Sequence, residues 1–160
     1  MERAQTMSGL LWIIDAAAWP AIQISISLWM VRRTANDFAR EGWMTRPREW
    51  ERNGRIYRSV FYTHRWKRYL PDGASWFGKE SKKKLAGTSP QHLTHLLVET
   101  RRAEMAHWFM LACTPVLFLW NPPWACGVLL AAGVLANLPC ILVQRYNRAR
   151  LEPILAALAQ

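Results

Sequence analysis

Apolar and polar positions along this chain are gathered into blocks rather than interleaved. The 20 residues from Trp124 to Val143 carry no charge, and Gln144–Arg150 follows at once with three arginines. About 20 apolar residues at 1.5 Å rise cover a hydrocarbon core of roughly 30 Å, which predicts a transmembrane helix stopped by arginine. Leu10–Val31 is a second such run, bounded by Trp12 and Trp29 and stopped by Arg32-Arg33. It is too long for the apolar core of a cleavable signal. It is also impure: Asp15, Pro20, Gln23, Ser25 and Ser27 predict a face turned to protein or a polar cavity, with a kink at Pro20. Asp15 lies within the first two turns of the run and is expected to reach the outer headgroups.

Further along, Ser89-Pro90 supplies an N-cap and a proline at the first helical position. Leu93, Leu96, Leu97 and Thr100 follow at helical spacing. The pattern then enters the apolar stretch Met105–Trp120 and stops at Asn121-Pro122-Pro123. One long helix is predicted, half interfacial and half embedded, joined by a short hairpin to the last span. After Arg150, Leu151, Ile154, Leu155 and Leu158 recur at i, i+3, i+4 and i+7, predicting a short amphipathic helix on the membrane surface. Between Thr34 and Gly87, Trp43, Trp50, Trp66 and Trp76 stand among Arg and Lys, as in a segment that hugs an interface. Leu70-Pro71-Asp72-Gly73 reads as a turn and Lys82-Lys83-Lys84 as a solvated run. The expected fold is all-α: a single integral membrane domain with spans at 10–31, 105–120 and 124–143 plus interfacial amphipathic helices.

Charge orients this arrangement. Between Arg32 and Arg102 there are 17 Lys/Arg against 7 Asp/Glu, which accounts for the whole net charge of +10. Positive-inside bias puts the basic block 32–104 and the tail 144–160 in the cytoplasm and the N-terminus outside. A basic block beside membrane spans points to anionic headgroups or a phosphate-bearing ligand, and against nucleic acid. Cys113, Cys126 and Cys140 lie in apolar stretches without a C-x-x-C pair and read as small core residues.

Three polar clusters carry candidate chemistry. Glu99-Thr-Arg-Arg-Ala-Glu104-Met-Ala-His107-Trp108 is the densest. At 100° per residue Glu104 lies about 60° from His107 on one side and Glu99 about 80° on the other, so a carboxylate-oriented imidazole could act as general base. The alternative is an interfacial helix end with locally paired Glu and Arg. Glu104-x-x-His107 also has metal-ligand spacing, but a second such motif is missing and no metal is expected. In Gln144-Arg145-Tyr146-Asn147-Arg148-Ala-Arg150 the arginines could clamp phosphates while Tyr146 and Asn147 hydrogen-bond a headgroup, or the whole could be a plain positive-inside anchor. Phe61-Tyr-Thr-His-Arg-Trp66-Lys67-Arg68 is the third, either a re-entrant stretch packing on the others or a basic aromatic surface. His92 and His95 are read as surface residues. No His-x4-Asp acyltransferase pattern, G-x-S-x-G elbow, P-loop or G-x-G-x-x-G is present.

The stretches FYTHRWKRYLPDG (Phe61–Gly73), ETRRAEMAHW (Glu99–Trp108) and ANLPCILVQRYNRARL (Ala136–Leu151), in that order, resemble the family of glycosyl-4,4'-diaponeurosporenoate acyltransferases, short bacterial membrane proteins of carotenoid biosynthesis. The resemblance implies esterification of the sugar of a glycosylated carotenoid, or a related glycolipid, with a fatty acyl chain at the bacterial inner membrane. It marks Trp66, Lys67 and Asp72, then Glu99, Glu104 and His107, then Asn137, Gln144, Arg145, Tyr146, Asn147 and Arg148 as family positions. On that reading His107 is the general base, Glu104 or Glu99 orients it, and Arg145 and Arg148 hold phosphate or oxyanion charge. Trp66, Lys67, Asp72, Asn137, Gln144, Tyr146 and Asn147 contact substrate. No cofactor is expected, acyl-CoA being a co-substrate whose phosphates suit the basic block. Two other readings stay open: a small membrane methyltransferase or reductase, and a non-catalytic lipid-binding subunit.

Overall fold

A computed structural model describes residues 2–70 and 89–158. Among these the regular elements are all helical. Asp72, the turn centred on it and the run Lys82–Lys84 lie outside the described residues. The long helices are α1 (Glu2–Arg32), α4 (Pro90–Cys113) and α5 (Pro123–Leu158), with short α2 (Arg55–Ser59) and α3 (Thr63–Trp66) between the first two. Two helices, Gly9–Arg32 and Pro123–Leu158, are long and apolar enough to cross a membrane.

The expected third span, 105–120, is corrected. The α-helix ends at Cys113, and Thr114–Leu119 continues as a 3-10 turn. Pro115 is the cause: without an N–H it cannot bond the carbonyl one turn back, and its ring crowds that carbonyl. Polar side chains bond carbonyls on either side of the break, with the Thr114 hydroxyl donating to Met110 O at 3.3 Å and Asn121 Nδ2 to Leu117 O at 2.9 Å. The start of α4 follows expectation, for Ser89 accepts the His92 N–H on its hydroxyl (3.3 Å) and the Leu93 N–H on its carbonyl (3.1 Å).

Contacts divide the chain into two compact units. The first comprises Met1–Arg33 and Ala106–Pro139. Here α1 runs unbroken through Pro20 and exposes Leu10, Ile13, Ile14, Ile24 and Leu28, while burying Asp15 and Met30. Asp15 does not reach outward as expected: it is 5% exposed, and its Oδ1 accepts from Trp120 Nε1 and Asn121 Nδ2, each at 2.9 Å. Two indole and amide donors offered by the hairpin outcompete snorkelling. Packing is tight at Gly133, where a Cβ would stand 2.7 Å from Thr114 Oγ1 and 3.3 Å from the Trp19 ring. Trp29 meets Phe109 edge-on at 5.3 Å, and Trp12 lies 6.2 Å from Trp124.

The second unit comprises Thr34–Met105 and Cys140–Gln160. Leu93, Leu96 and Leu97 of α4 pack on Leu151 and Leu155 of α5. The separate surface helix expected after Arg150 does not form. Instead α5 continues to Leu158, because its apolar stripe finds a partner in α4, leaving Ile154 and Leu158 exposed. The segment before α2 closes on α5 through Arg52-Asn53-Gly54, all at positive φ. Gly54 is required twice over: its φ is +80°, and a Cβ there would come within 2.4 Å of Ala149 Cβ.

Candidate functional site

Within the second unit, the α4 and α5 segments bring charges separated by about 40 residues onto one carboxylate. Glu104 is 0% exposed. Its Oε1 accepts from Arg145 Nε and its Oε2 from Arg148 Nη1, both at 2.6 Å. Arg145 also pairs with Glu51 and donates from Nη2 to Met44 O at 2.5 Å, while Glu51 Oε1 accepts the Arg48 N–H at 3.0 Å. A buried ion is tolerated when it is paired and hydrogen-bonded, and this network gives both to Glu104 and Arg145. Arg148 is 2% exposed and reaches Glu152 at 3.9 Å. Burial beside Glu51 pushes the Tyr57 phenol well above its ordinary value, so it stays neutral.

Arg145 and Arg148, expected to clamp an incoming anion, are thus held by carboxylates of the chain itself. Glu99 and Glu104, expected beside His107, both meet arginines: Glu99 pairs with Arg102 at 2.8 Å. Glu51 was missed by sequence reading. It stands between Arg48 and Arg52 in the basic block, 94 residues from Arg145, and no local pattern sets it apart from a solvated acid.

A different pair of cations lies along the same helix. Lys67 Nζ donates to Asn147 Oδ1 at 3.1 Å and sits 4.9 Å from the centre of the Tyr146 ring, while the Arg150 guanidinium lies 5.7 Å from that ring. Burial, then the charge of Arg150, hold the Lys67 ammonium below its ordinary value. Trp66 donates its indole N–H to Phe61 O at 2.8 Å, which fixes the turn carrying Lys67. Gln144 Oε1 is shut from solvent without a hydrogen-bond partner among the described residues.

In the first unit, His107 is half-buried and its Nδ1 lies 3.0 Å from Asn137 Oδ1. Asn137 is 1% exposed, and its Nδ2 donates to Gly133 O at 3.0 Å. A carbonyl can only accept, so the amide nitrogen must face Gly133 and the amide oxygen must face the ring. His107 Nδ1 then carries the proton and Nε2 the lone pair. Asn137, read from the sequence as a substrate contact, is placed as the partner that sets the imidazole tautomer. Among the described residues no group of three or more His, Cys, Asp and Glu could hold a metal ion. The cysteines are half-buried thiols.

Comparison with known proteins adds the chemical class. A family model described as glycosyl-4,4'-diaponeurosporenoate acyltransferase matches residues 40–157, wider than the three stretches of the sequence resemblance. A protein of that name from Staphylococcus haemolyticus (strain JCSC1435) is 33% identical over 142 residues, covering 88% of this chain and 82% of the relative. One from Staphylococcus aureus (strain USA300) is 26% identical over 141 residues, covering 88% and 85%. No solved structure matches the chain.

Proposed function

The chain belongs to the glycosyl-4,4'-diaponeurosporenoate acyltransferase family and is an acyltransferase, and from that premise we propose that it moves a fatty acyl group from acyl-CoA onto a sugar hydroxyl of a glycosylated carotenoid or related glycolipid at the inner face of a bacterial cell membrane. The relatives' shared name supports the acceptor class. It leaves the methyltransferase, reductase and non-catalytic readings without support. Two long helices that expose many Leu, Ile and Val side chains while burying an Asp and an Asn support a bilayer setting. The basic block 32–104 supports a cytoplasmic donor.

One observation carries the mechanism: the Asn137 bond that leaves the lone pair on His107 Nε2. The base takes the proton of the sugar hydroxyl as its oxygen attacks the thioester carbonyl. The C–O bond forms, the C–S bond breaks, and the proton passes from Nε2 to the departing CoA thiolate. Asn137 Oδ1 stabilises the transient imidazolium. The pairs Glu104–Arg145, Glu104–Arg148 and Glu51–Arg145 act as framework.

Turnover of purified protein in detergent, with labelled acyl-CoA and a glycosylated lipid acceptor, tests this reading. His107→Ala is expected to lose about 10² to 10⁴ in kcat at normal yield, whereas His92→Ala and His95→Ala keep near wild-type rates. A His107→Ala protein that turns over normally overturns the assignment.

A further inference from the structure

The buried arginines of the second unit are each matched by a carboxylate. Arg145 and Arg148 share Glu104, Arg102 pairs with Glu99, and Arg101 reaches Glu41 at 3.3 Å while donating to Ala39 O at 2.7 Å. Lys67 and Arg150 are arranged differently, because two cations share one ring. Both lie on the Tyr146 ring, and neither forms an ion pair among the described residues. Bringing two cations together on a neutral ring costs electrostatic energy that no carboxylate of the described residues offsets, and the depressed Lys67 ammonium is one symptom. The neighbouring cations are engaged elsewhere, Arg65 on the Tyr62 ring and Arg68 on Tyr69, where its Nη2 donates to the phenol oxygen at 2.7 Å. An anion arriving between Lys67 and Arg150 would relieve the repulsion, with the exposed guanidinium as a planar two-pronged donor and the ammonium as a point charge held by Asn147.

We propose that Lys67 and Arg150, mounted on Tyr146 and Asn147, form a subsite for a phosphate ester, distinct from the buried arginines of the Glu104 network. The identity of the ester rests on the donor reading above. For an acyl-CoA enzyme it is a phosphate of the nucleotide moiety, and the same chemistry would recognise an anionic phospholipid headgroup. Asn147 restricts the ammonium and the ring removes one face from water, so the site is half-formed before the anion arrives.

The test uses full-length protein in detergent or nanodiscs. Coenzyme A is titrated by calorimetry, and nanodiscs of phosphatidylcholine with and without phosphatidylglycerol are compared by retention of the protein's thermal midpoint. Lys67→Met and Arg150→Met are each expected to weaken coenzyme A binding about tenfold, with the double variant flattening the salt dependence. Lys67→Arg should restore most of the affinity, and circular dichroism checks that each variant remains folded. Loss confined to coenzyme A assigns the donor. Loss confined to the phosphatidylglycerol effect assigns a headgroup and keeps the subsite. If wild-type protein binds no coenzyme A, the donor reading falls while the lipid arm still tests the subsite. Unchanged binding of both probes by the folded double variant overturns the proposal.

Discussion

Glu104 meets two guanidinium groups, whereas Asp15 meets an indole and an amide. Both carboxylates are buried in apolar surroundings, yet the environments differ in kind. In the second unit every oxygen of Glu104 faces a full positive charge, and the arginines reach onward to Glu51 and Met44 O. In the first unit the polar groups are joined by neutral donors, and Asp15 Oδ2 has no hydrogen-bond partner among the described residues. Ion pairs lock a geometry because breaking one strands a charge. Neutral bonds leave groups adjustable, which suits the proton exchange proposed for His107.

The sharpest way to break this comparison is at Glu104. Replacing it with Ala removes the carboxylate that two buried guanidinium groups share and is expected to cost about 3 to 5 kcal/mol of stability. Replacing Glu51, Glu104, Arg145 and Arg148 together by apolar residues of similar size should recover most of that loss. Thermal unfolding in mild detergent measures both, and a Glu104→Ala protein as stable as wild type would show the network to be idle.

A smaller stability effect with a larger functional one is expected at Asn137. Asn137→Leu removes the acceptor that holds His107 Nδ1–H and should lower kcat about tenfold or more, a share of what a general base contributes, while KM changes little. It should also shift the pH profile of kcat, because the imidazolium loses a hydrogen-bond acceptor, and a packing role alone would not produce that shift.

Asp15→Ala removes the acceptor of the Trp120 indole and of one Asn121 N–H and should cost about 1 to 3 kcal/mol. Asp15→Asn preserves Oδ1 and should cost less, a ranking that thermal midpoints will read directly. If both variants lose as much as Glu104→Ala, the contrast between charged and neutral clusters disappears.

The smallest effect is the pH dependence at Lys67. Burial and Arg150 hold its folded-state value below the ordinary one. Between those two values the unfolded chain binds more protons, so stability from this group rises with pH across that alkaline interval. Below the folded-state value the cost of the buried ammonium is fully present. Lys67→Met should flatten the rise, as seen in thermal midpoints measured across the alkaline range.

Much of the helical plan was written in local pattern. Ser89-Pro90 announced the start of α4, the chargeless run after Trp124 announced α5, and Leu93, Leu96 and Leu97 announced a buried face. Pro115 was also there to be read as a break, but the apolar run around it concealed that hydrophobicity and helicity are separate requirements. The order of the polar clusters pointed to the acyltransferase family, later found over residues 40–157.

Partners were another matter. A sequence position states that Glu104, Arg145 and His107 are polar and lie on helices, because period and propensity are local properties. Which charge meets which depends on how α4, α5 and the segment around Gly54 pack, through contacts spanning 41 to 94 residues. Tertiary structure therefore gave Glu51 to Arg145, Asn137 to His107, and two unmatched cations to one tyrosine ring. Burial then decides how strongly each pairing is enforced, since charge shut away from water must find a partner or cost the fold several kcal/mol.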